Sequence, residues 1–280
     1  MNLNLDPTFL PFGKENAIPF ESKTFSGGEP QIRINEKFEP LTRVRISHRI
    51  QSFNDMGLLL VAVDALKRLG VSYIELFLPY FPAARQDRIM QSGESLTVKV
   101  YADIINQLSL DKVTIFHPHS DVTPALLNNC KVMDNEYFIA EVLQCMPPSP
   151  VLISPDAGAL KNTYKLAQVL DVEEVVECSK KRNVKTGALT DFKVYADNLA
   201  GRDCLIVDDI CDGGGTFLGL AKSLKKKNAG NLYLAVSHGV FSKGVEALSK
   251  EFQKIFTTDA FRRVDHKNVE LIELFHLINQ

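Results

Sequence analysis

Cys204-Leu205-Ile206-Val207-Asp208-Asp209-Ile210-Cys211-Asp212-Gly213-Gly214-Gly215-Thr216-Phe217 is the stretch from which the fold of this 280-residue chain is read. Four apolar residues form a short run of the kind buried on both faces of a parallel sheet. Two carboxylates end it, three glycines follow, and a helical pattern then covers Phe217 to Lys227. The same grammar recurs outward. Apolar runs at residues 73–78, 113–116, 151–154 and 232–236 each precede a polar loop, and helical periodicity covers residues 57–69 and 96–108. Gly70 is placed to serve as the glycine just past the first of these helices. Strand alternating with helix predicts a doubly wound α/β architecture.

Pro147-Pro148-Ser149-Pro150 divides the chain into two halves of similar grammar. Domains are therefore expected at residues 1–146 and 147–280, with the final segment free to pack on the first. Apolar residues at 45% and charged residues at 24% exclude general disorder. A formal net charge of −2 argues against a dedicated nucleic-acid binder. Five scattered cysteines without a CxxC pair point to reduced thiols and a cytoplasmic protein. No secretory signal or apolar run of membrane-spanning length is expected.

Ligands in such sheets bind beyond the carboxyl ends of the strands, and each chemically suggestive cluster follows an apolar run. In residues 204–217, glycines let backbone N–H groups converge on a phosphate at a helix N-terminus. Asp208 and Asp209 suit vicinal sugar hydroxyls. Thr216 is read as an N-cap and phosphate donor. The segment lacks the Gly-Lys-Ser/Thr of a Walker loop. Taken alone, the glycines also fit a plain strand–helix turn. Arg85 and Gln86, followed by Asp87, offer a guanidinium fork and an amide for phosphates and a base edge, or form a solvated charged loop. His117 and His119 would share one face of an extended chain, as a metal pair or a structural one. Asp156 fits a hard cation, or a turn. Lys180 and Arg182 begin a charged segment able to neutralise a transferring phosphoryl group, or merely a solvated face.

Several segments together, in order, make the chain resemble the ribose-phosphate pyrophosphokinase (phosphoribosyl pyrophosphate synthetase) family. LPYFPAARQD at 78–87 is similar to the family's PYxPYARQDR, and FSGGE at 25–29 to its FSDGE. Asn54-Asp55 with the helix ending DALKR, SPDAG at 154–158, and Ser237-His238-Gly239 match further motifs, as does residues 208–216 to the phosphoribosyl pyrophosphate loop. The resemblance implies two tandem phosphoribosyltransferase-like domains of type I fold. It also implies Mg²⁺-dependent transfer of the diphosphoryl group of ATP to ribose 5-phosphate, supplying nucleotide and NAD synthesis. By resemblance, Phe25, Glu29, Arg85, Gln86 and Asp87 bind ATP, and His119 and Asp156 bind metal. Lys180, Arg182 and His119 are catalytic, while Asp208, Asp209, Asp212, Gly213, Gly214, Gly215 and Thr216 hold the ribose phosphate. A homo-oligomer is implied, either a dimer or a dimer-based hexamer, with no nucleic-acid or membrane partner.

Departures from the pattern open alternatives. The loop usually reads DTxGT, but here Gly213 and Gly214 follow Asp212. Loss of the threonine opens space for an acceptor with a substituted 5-phosphate, such as ADP-ribose, in NAD salvage. His117 stands where the family has aspartate. The residues after Asp87 lack the family's SRxP, and the region before Phe25 is expected to lack its opening strand and helix. A phosphoribosyltransferase or a non-catalytic regulatory subunit are alternatives of another class.

Overall fold

The computed structural model describes residues 1–182 and 189–279, the side chains of residues 181, 182 and 189–191 excepted. The chain forms two compact units, Met1–Asp134 with Leu274–Gln280, and Asn135–Glu273. The division falls ahead of the proline-rich stretch. A helix over Glu136–Gln144 therefore groups with the second unit.

In the first unit, β1 (Asn2–Asn4), a hairpin of β2 (Phe20–Thr24) and β3 (Pro30–Ile34), and β4 (Arg43–Ser47) precede α1 (Phe53–Arg68). Then come β5 (Tyr73–Leu78), α2 (Thr97–Gln107), β6 (Lys112–Phe116), α3 (Val122–Leu126) and β7 (Cys130–Met133). The sheet order is β1-β4-β5-β6-β7, parallel throughout. Contrary to the sequence expectation, a strand does precede Phe25: β1 pairs with β4 through only three residues, too few to show a periodic pattern. Asp6 after β1 and Arg49 after β4 form a largely buried ion pair at 2.6 Å that ties the two strand ends together. Removing one partner would strand a buried charge.

α1 starts one turn earlier than its apolar periodicity. Ser52 accepts from the Asp55 N–H while the Asp55 carboxylate accepts from the Ser52 N–H, a reciprocal capping box. Its core face is Met56, Leu59, Ala62, Val63 and Leu66. The helix ends as expected at Gly70, whose φ of 84° permits N–H bonds from Gly70 to the Lys67 carbonyl and from Val71 to Leu66.

The second unit contains α4 (Glu136–Gln144), β8 (Val151–Ser154), α5 (Leu160–Val169), β9 (Val175–Arg182), β10 (Leu189–Val194) and β11 (Cys204–Cys211). It continues with α6 (Gly215–Lys225), β12 (Leu232–Gly239), β13 (Lys254–Thr258) and β14 (Val269–Ile272). Its sheet has the order β10-β9-β8-β11-β12-β13-β14, and only the edge strand β10 is antiparallel to its neighbour. From β8 the chain winds one way, to β9; from β11 it winds the other way, to β12 and β13. The direction therefore reverses between β8 and β11, the position where ligands enter such sheets. A last short helix, α7 (Leu274–Ile278), returns to the first unit, where Phe275 packs beside Gly13.

All four residues of β8 and all eight of β12 are buried, which accounts for their unbroken apolar runs. Burial pushes the thiols of Cys178, Cys204 and Cys211 up to about 12, so these cysteines are packing residues rather than nucleophiles. Among the described residues no helix is long and apolar enough to cross a membrane.

α6 lies against β10 with almost no clearance. A Cβ on Gly219 would sit 2.2 Å from the Phe192 ring. Gly219→Ala should therefore destabilise the protein by about 1–3 kcal/mol despite the better helix propensity of alanine. In urea unfolding, Phe192→Leu should recover part of that loss in the double variant. Simple additivity of the two substitutions would rule out the steric account.

Candidate active site

The site is built where β8 and β11 part. β8 pairs with β11 only over Cys204–Ile206, whereas β12 stays paired with β11 as far as Cys211. β11 is thus four residues longer than its apolar run. Asp208 and Asp209 lie within the strand, not at its end, on the stretch that β8 no longer covers. The Asp209 N–H donates to Asp208 Oδ1 at 2.9 Å. Burial, and then repulsion from Asp209 and Asp156, pushes the Asp208 carboxyl well above its ordinary value. A donor brought to this pair, such as the vicinal hydroxyls of a sugar, would favour the ionised form that burial and repulsion disfavour.

Beyond Cys211 the loop runs through Asp212 and Gly213, both half-buried, into α6. Gly214, with φ of 74°, is the N-cap, and Gly215 begins the helix. Thr216, expected to be the cap, lies inside the first turn instead, because the left-handed cap position suits glycine and not a β-branched residue. A Cβ on Gly214 would also meet Leu248 at 3.2 Å. Gly213 has no such constraint: its φ is not left-handed, and a Cβ there would make ordinary contact with Lys243 at 3.5 Å. The first N–H groups of α6 and the backbone of residues 212–216 together leave a helix N-terminus with no side chain at its glycines, an arrangement suited to an anion.

Asp156 follows β8. Its Oδ1 accepts from the N–H groups of Gly158 and Ala159 at 2.9 and 3.1 Å, closing the turn into α5. Its Oδ2 holds Lys180 Nζ at 2.7 Å. Burial opposes ionisation here, but the Lys180 bond and charge, with the two amides, outweigh it and hold the carboxyl below its ordinary range. The turn role and the ionised carboxylate therefore coexist. Lys180 stands on β9 next to β8, which the spacing of the motifs did not reveal. The Arg182 side chain lies outside the described residues; its backbone ends β9 opposite Leu189.

In the first unit, the loop after β5 leaves Arg85 and Gln86 exposed. Asp87 points inward at 8% exposure and accepts from Arg88 at 3.1 Å. Burial raises its carboxyl, but Ser120 and Arg88 lower it further, with a contribution from His119, so the net direction is down. His119 is exposed, and His117 is half-buried with φ of 40°. The backbone turns immediately after β6, so the two histidines are not on one face of an extended chain. Phe25 and Glu29 occupy the exposed tip of the β2–β3 hairpin, where the Phe25 ring carries Lys23 Nζ at 4.4 Å. Among the described residues no group of three or more His, Cys, Asp and Glu side chains forms a metal cluster.

Residues 14–108 match the model of the N-terminal domain of ribose phosphate pyrophosphokinase, and residues 135–268 match the phosphoribosyl transferase domain. The ribose-phosphate pyrophosphokinase of Shewanella oneidensis is 31% identical over 241 residues, covering 84% of this chain and 76% of that one. That of Pasteurella multocida is 30% identical over 223 residues, covering 78% and 70% respectively. The crystal structure of phosphoribosylpyrophosphate synthetase from Mycobacterium smegmatis superposes with a TM-score of 0.82 at 22% identity, covering 94% of this chain and 88% of that one. The units are thus two tandem phosphoribosyltransferase-type domains.

The two acidic positions predict opposite pH behaviour. Because Asp208 holds its proton more tightly when folded, its contribution to stability is full below the ordinary value of 3.8 and is lost as pH rises through the raised one. Asp156 stabilises above 3.8 and loses that contribution as pH falls through its lowered value. Asp208→Asn should therefore unfold at higher urea than the parent at pH 7, with the gap narrowing toward pH 4. Asp156→Asn should unfold earlier at pH 7. A less stable Asp208→Asn protein at pH 7 would contradict the assignment.

Proposed function

The chain belongs to the ribose-phosphate pyrophosphokinase family of transferases, and we propose that it moves the diphosphoryl group of ATP onto the anomeric hydroxyl of a ribose 5-phosphate unit. The anomeric oxygen bonds to the β-phosphorus, the bond from that phosphorus to the α,β-bridging oxygen breaks, and AMP leaves. The hydroxyl proton is released to solvent. The observation that carries this reading is the pairing, on one strand–loop–helix, of the Asp208–Asp209 carboxylates with a run of three glycines that opens into a helix N-terminus. A phosphate site alone has no need for Asp208 and Asp209.

In this reading Asp208 and Asp209 accept the 2- and 3-hydroxyls, and residues 212–216 cradle the 5-phosphate. Arg85 and Gln86 bind the ATP phosphates and base, with Asp87 orienting Arg88 beside them. Phe25 offers an exposed aromatic face to adenine, and Glu29 an acceptor to its edge. Lys180, already aligned by Asp156, supplies positive charge as charge shifts to the leaving oxygen, with Arg182 as the second cation. Little general-base work is required of the protein; alignment and charge neutralisation carry the reaction.

Magnesium, when bound, would neutralise phosphate oxygens. The donors fit it: Asp156 is ionised, and its Oδ2 keeps a lone pair beyond the Lys180 bond it already accepts. His119 is an exposed second candidate. A hard cation that takes most of its ligands from phosphates and water needs no larger protein set.

The acceptor has a second reading. The space at Gly213, where the related loop carries threonine, favours a 5-phosphate that bears a further group, as in ADP-ribose, whose product would enter NAD salvage. A phosphoribosyltransferase would leave Arg85, Gln86 and Lys180 without a role. A regulatory subunit would not need the ionised Asp156 and its lysine.

Purified protein with Mg·ATP should form AMP only when ribose 5-phosphate or ADP-ribose is added, followed by chromatography of both nucleotides. AMP absent with either acceptor would remove the reading. Lys180→Ala should lower kcat by about 10²–10³-fold, the size of a lost transition-state charge contact, with ATP affinity changed less than threefold.

A further inference from the structure

The segment after β12 is stitched to the glycine loop. Val240 and Phe241 donate backbone N–H groups to the Cys211 carbonyl at 2.9 and 3.0 Å, and Ser242 donates to Asp212 at 3.1 Å. Arg262 Nη2 holds the Phe241 carbonyl at 2.9 Å from the other side. Phe241 adopts a left-handed φ of 44° and is buried, and its ring lies so close to Gly239 that a Cβ there would sit 2.3 Å away. A non-glycine residue accepts that conformation only where its surroundings over-determine it. The turn is therefore firmly placed, and it brings the Lys243 side chain to the loop.

The Lys243 stem lies along Gly213. Its Cδ and Cε are both 3.5 Å from the place a Gly213 Cβ would occupy. The ammonium begins one bond beyond Cε, the residue is exposed, and among the described residues no carboxylate pairs with it. A side chain at 213 would project toward this lysine. Where the related loop carries a threonine hydroxyl, this chain has bare backbone with a flexible cation beside it. A hydroxyl offers one donor to a monoester oxygen held within the cradle. An ammonium offers three donors and a full charge from outside it.

We infer that Lys243 is a specificity-determining residue on the acceptor side, meeting the second phosphoryl group of an acceptor whose 5-phosphate is substituted. The inference rests on the proposed diphosphoryl transfer and selects its acceptor. Gly213 leaves the exit from the cradle open, and Lys243 stands at that exit. A ribose 5-phosphate monoester is satisfied by the N–H groups of the loop and needs the lysine less. A diphosphate continues past the loop and carries its second charge to the ammonium.

The test is Lys243→Met, which keeps the stem and removes the charge, with Lys243→Arg as the charge-retaining control. At saturating Mg·ATP, kcat/KM for ADP-ribose should fall about tenfold in Lys243→Met, the size of one charge-assisted hydrogen bond. For ribose 5-phosphate it should fall less than threefold, and the KM for ATP should not move. Lys243→Arg should retain most of the ADP-ribose activity. Because the ammonium is exposed, the ADP-ribose effect should shrink between 50 mM and 500 mM salt. Gly213→Thr, which the backbone at 213 permits, should shift preference toward ribose 5-phosphate. Equal losses for both acceptors, no loss, or a parent protein that turns over ribose 5-phosphate alone would each overturn the inference. Calorimetric binding of ADP-ribose decides the case separately. If the parent protein transfers to neither acceptor, the transfer reading fails, and an unchanged ADP-ribose affinity in Lys243→Met would then sink the inference as well, whereas a tenfold weaker one would uphold it.

Discussion

The candidate site depends on an unequal pairing in the second sheet. β8 leaves β11 after Ile206, while β12 continues beside it to Cys211. A strand with one neighbour missing has one open side, and Asp208 and Asp209 occupy it. Because β8 and β11 also wind in opposite directions, the loops that follow them diverge rather than cover the gap. Asp156 and its lysine border one side, and the glycine loop with α6 the other. Pair β8 with β11 to its full length and the carboxylates would be sealed in the sheet.

The same region is electrostatically uncomfortable when empty. Asp208 is half-buried beside Asp209 and feels Asp156, and desolvation and both neighbouring charges favour its proton. Asp156 escapes that fate because Lys180 and two amides offset its burial. Two acids, one within β11 and one just after its neighbour β8, thus sit on opposite sides of their ordinary value. One is ready to accept hydrogen bonds from an arriving donor, and the other is already a fixed anion with a fixed cation. The raised Asp208 carboxyl costs stability, and the fully buried β12 and the dense core of Leu220, Leu224 and Leu234 hold it in place.

Much of this architecture was legible before any coordinates. The strands at 73–78 and 151–154 were readable to the residue, because runs buried on both faces are apolar without interruption. The stop at Gly70 was readable because a left-handed position demands glycine. What failed had local physical reasons. β11 and β12 outrun their apolar stretches because their polar ends still make ladder hydrogen bonds. Thr216 suggests a cap because hydroxyl residues usually fill that role, but the left-handed turn at Gly214 places the cap two residues earlier. The HxH spacing of His117 and His119 suggests an extended pair, which the φ of 40° at His117 forbids. β1 is too short to carry a pattern, and only its partner β4 makes it a strand.

The sequence by itself determined the alternation of strand and helix, the acid-and-glycine loop between β11 and α6 and the family to which these belong, since each is written in contiguous residues whose periodicity or motif acts locally. Only the tertiary structure decided which of those residues meet. Asp156 and Lys180 are joined because β8 and β9 are adjacent strands, and Lys243 reaches Gly213 because backbone hydrogen bonds fold the end of β12 onto the end of β11. Neither contact has a signature in the chain, because each depends on strand order and register. Those are settled by burial and pairing across the whole sheet rather than by any one segment.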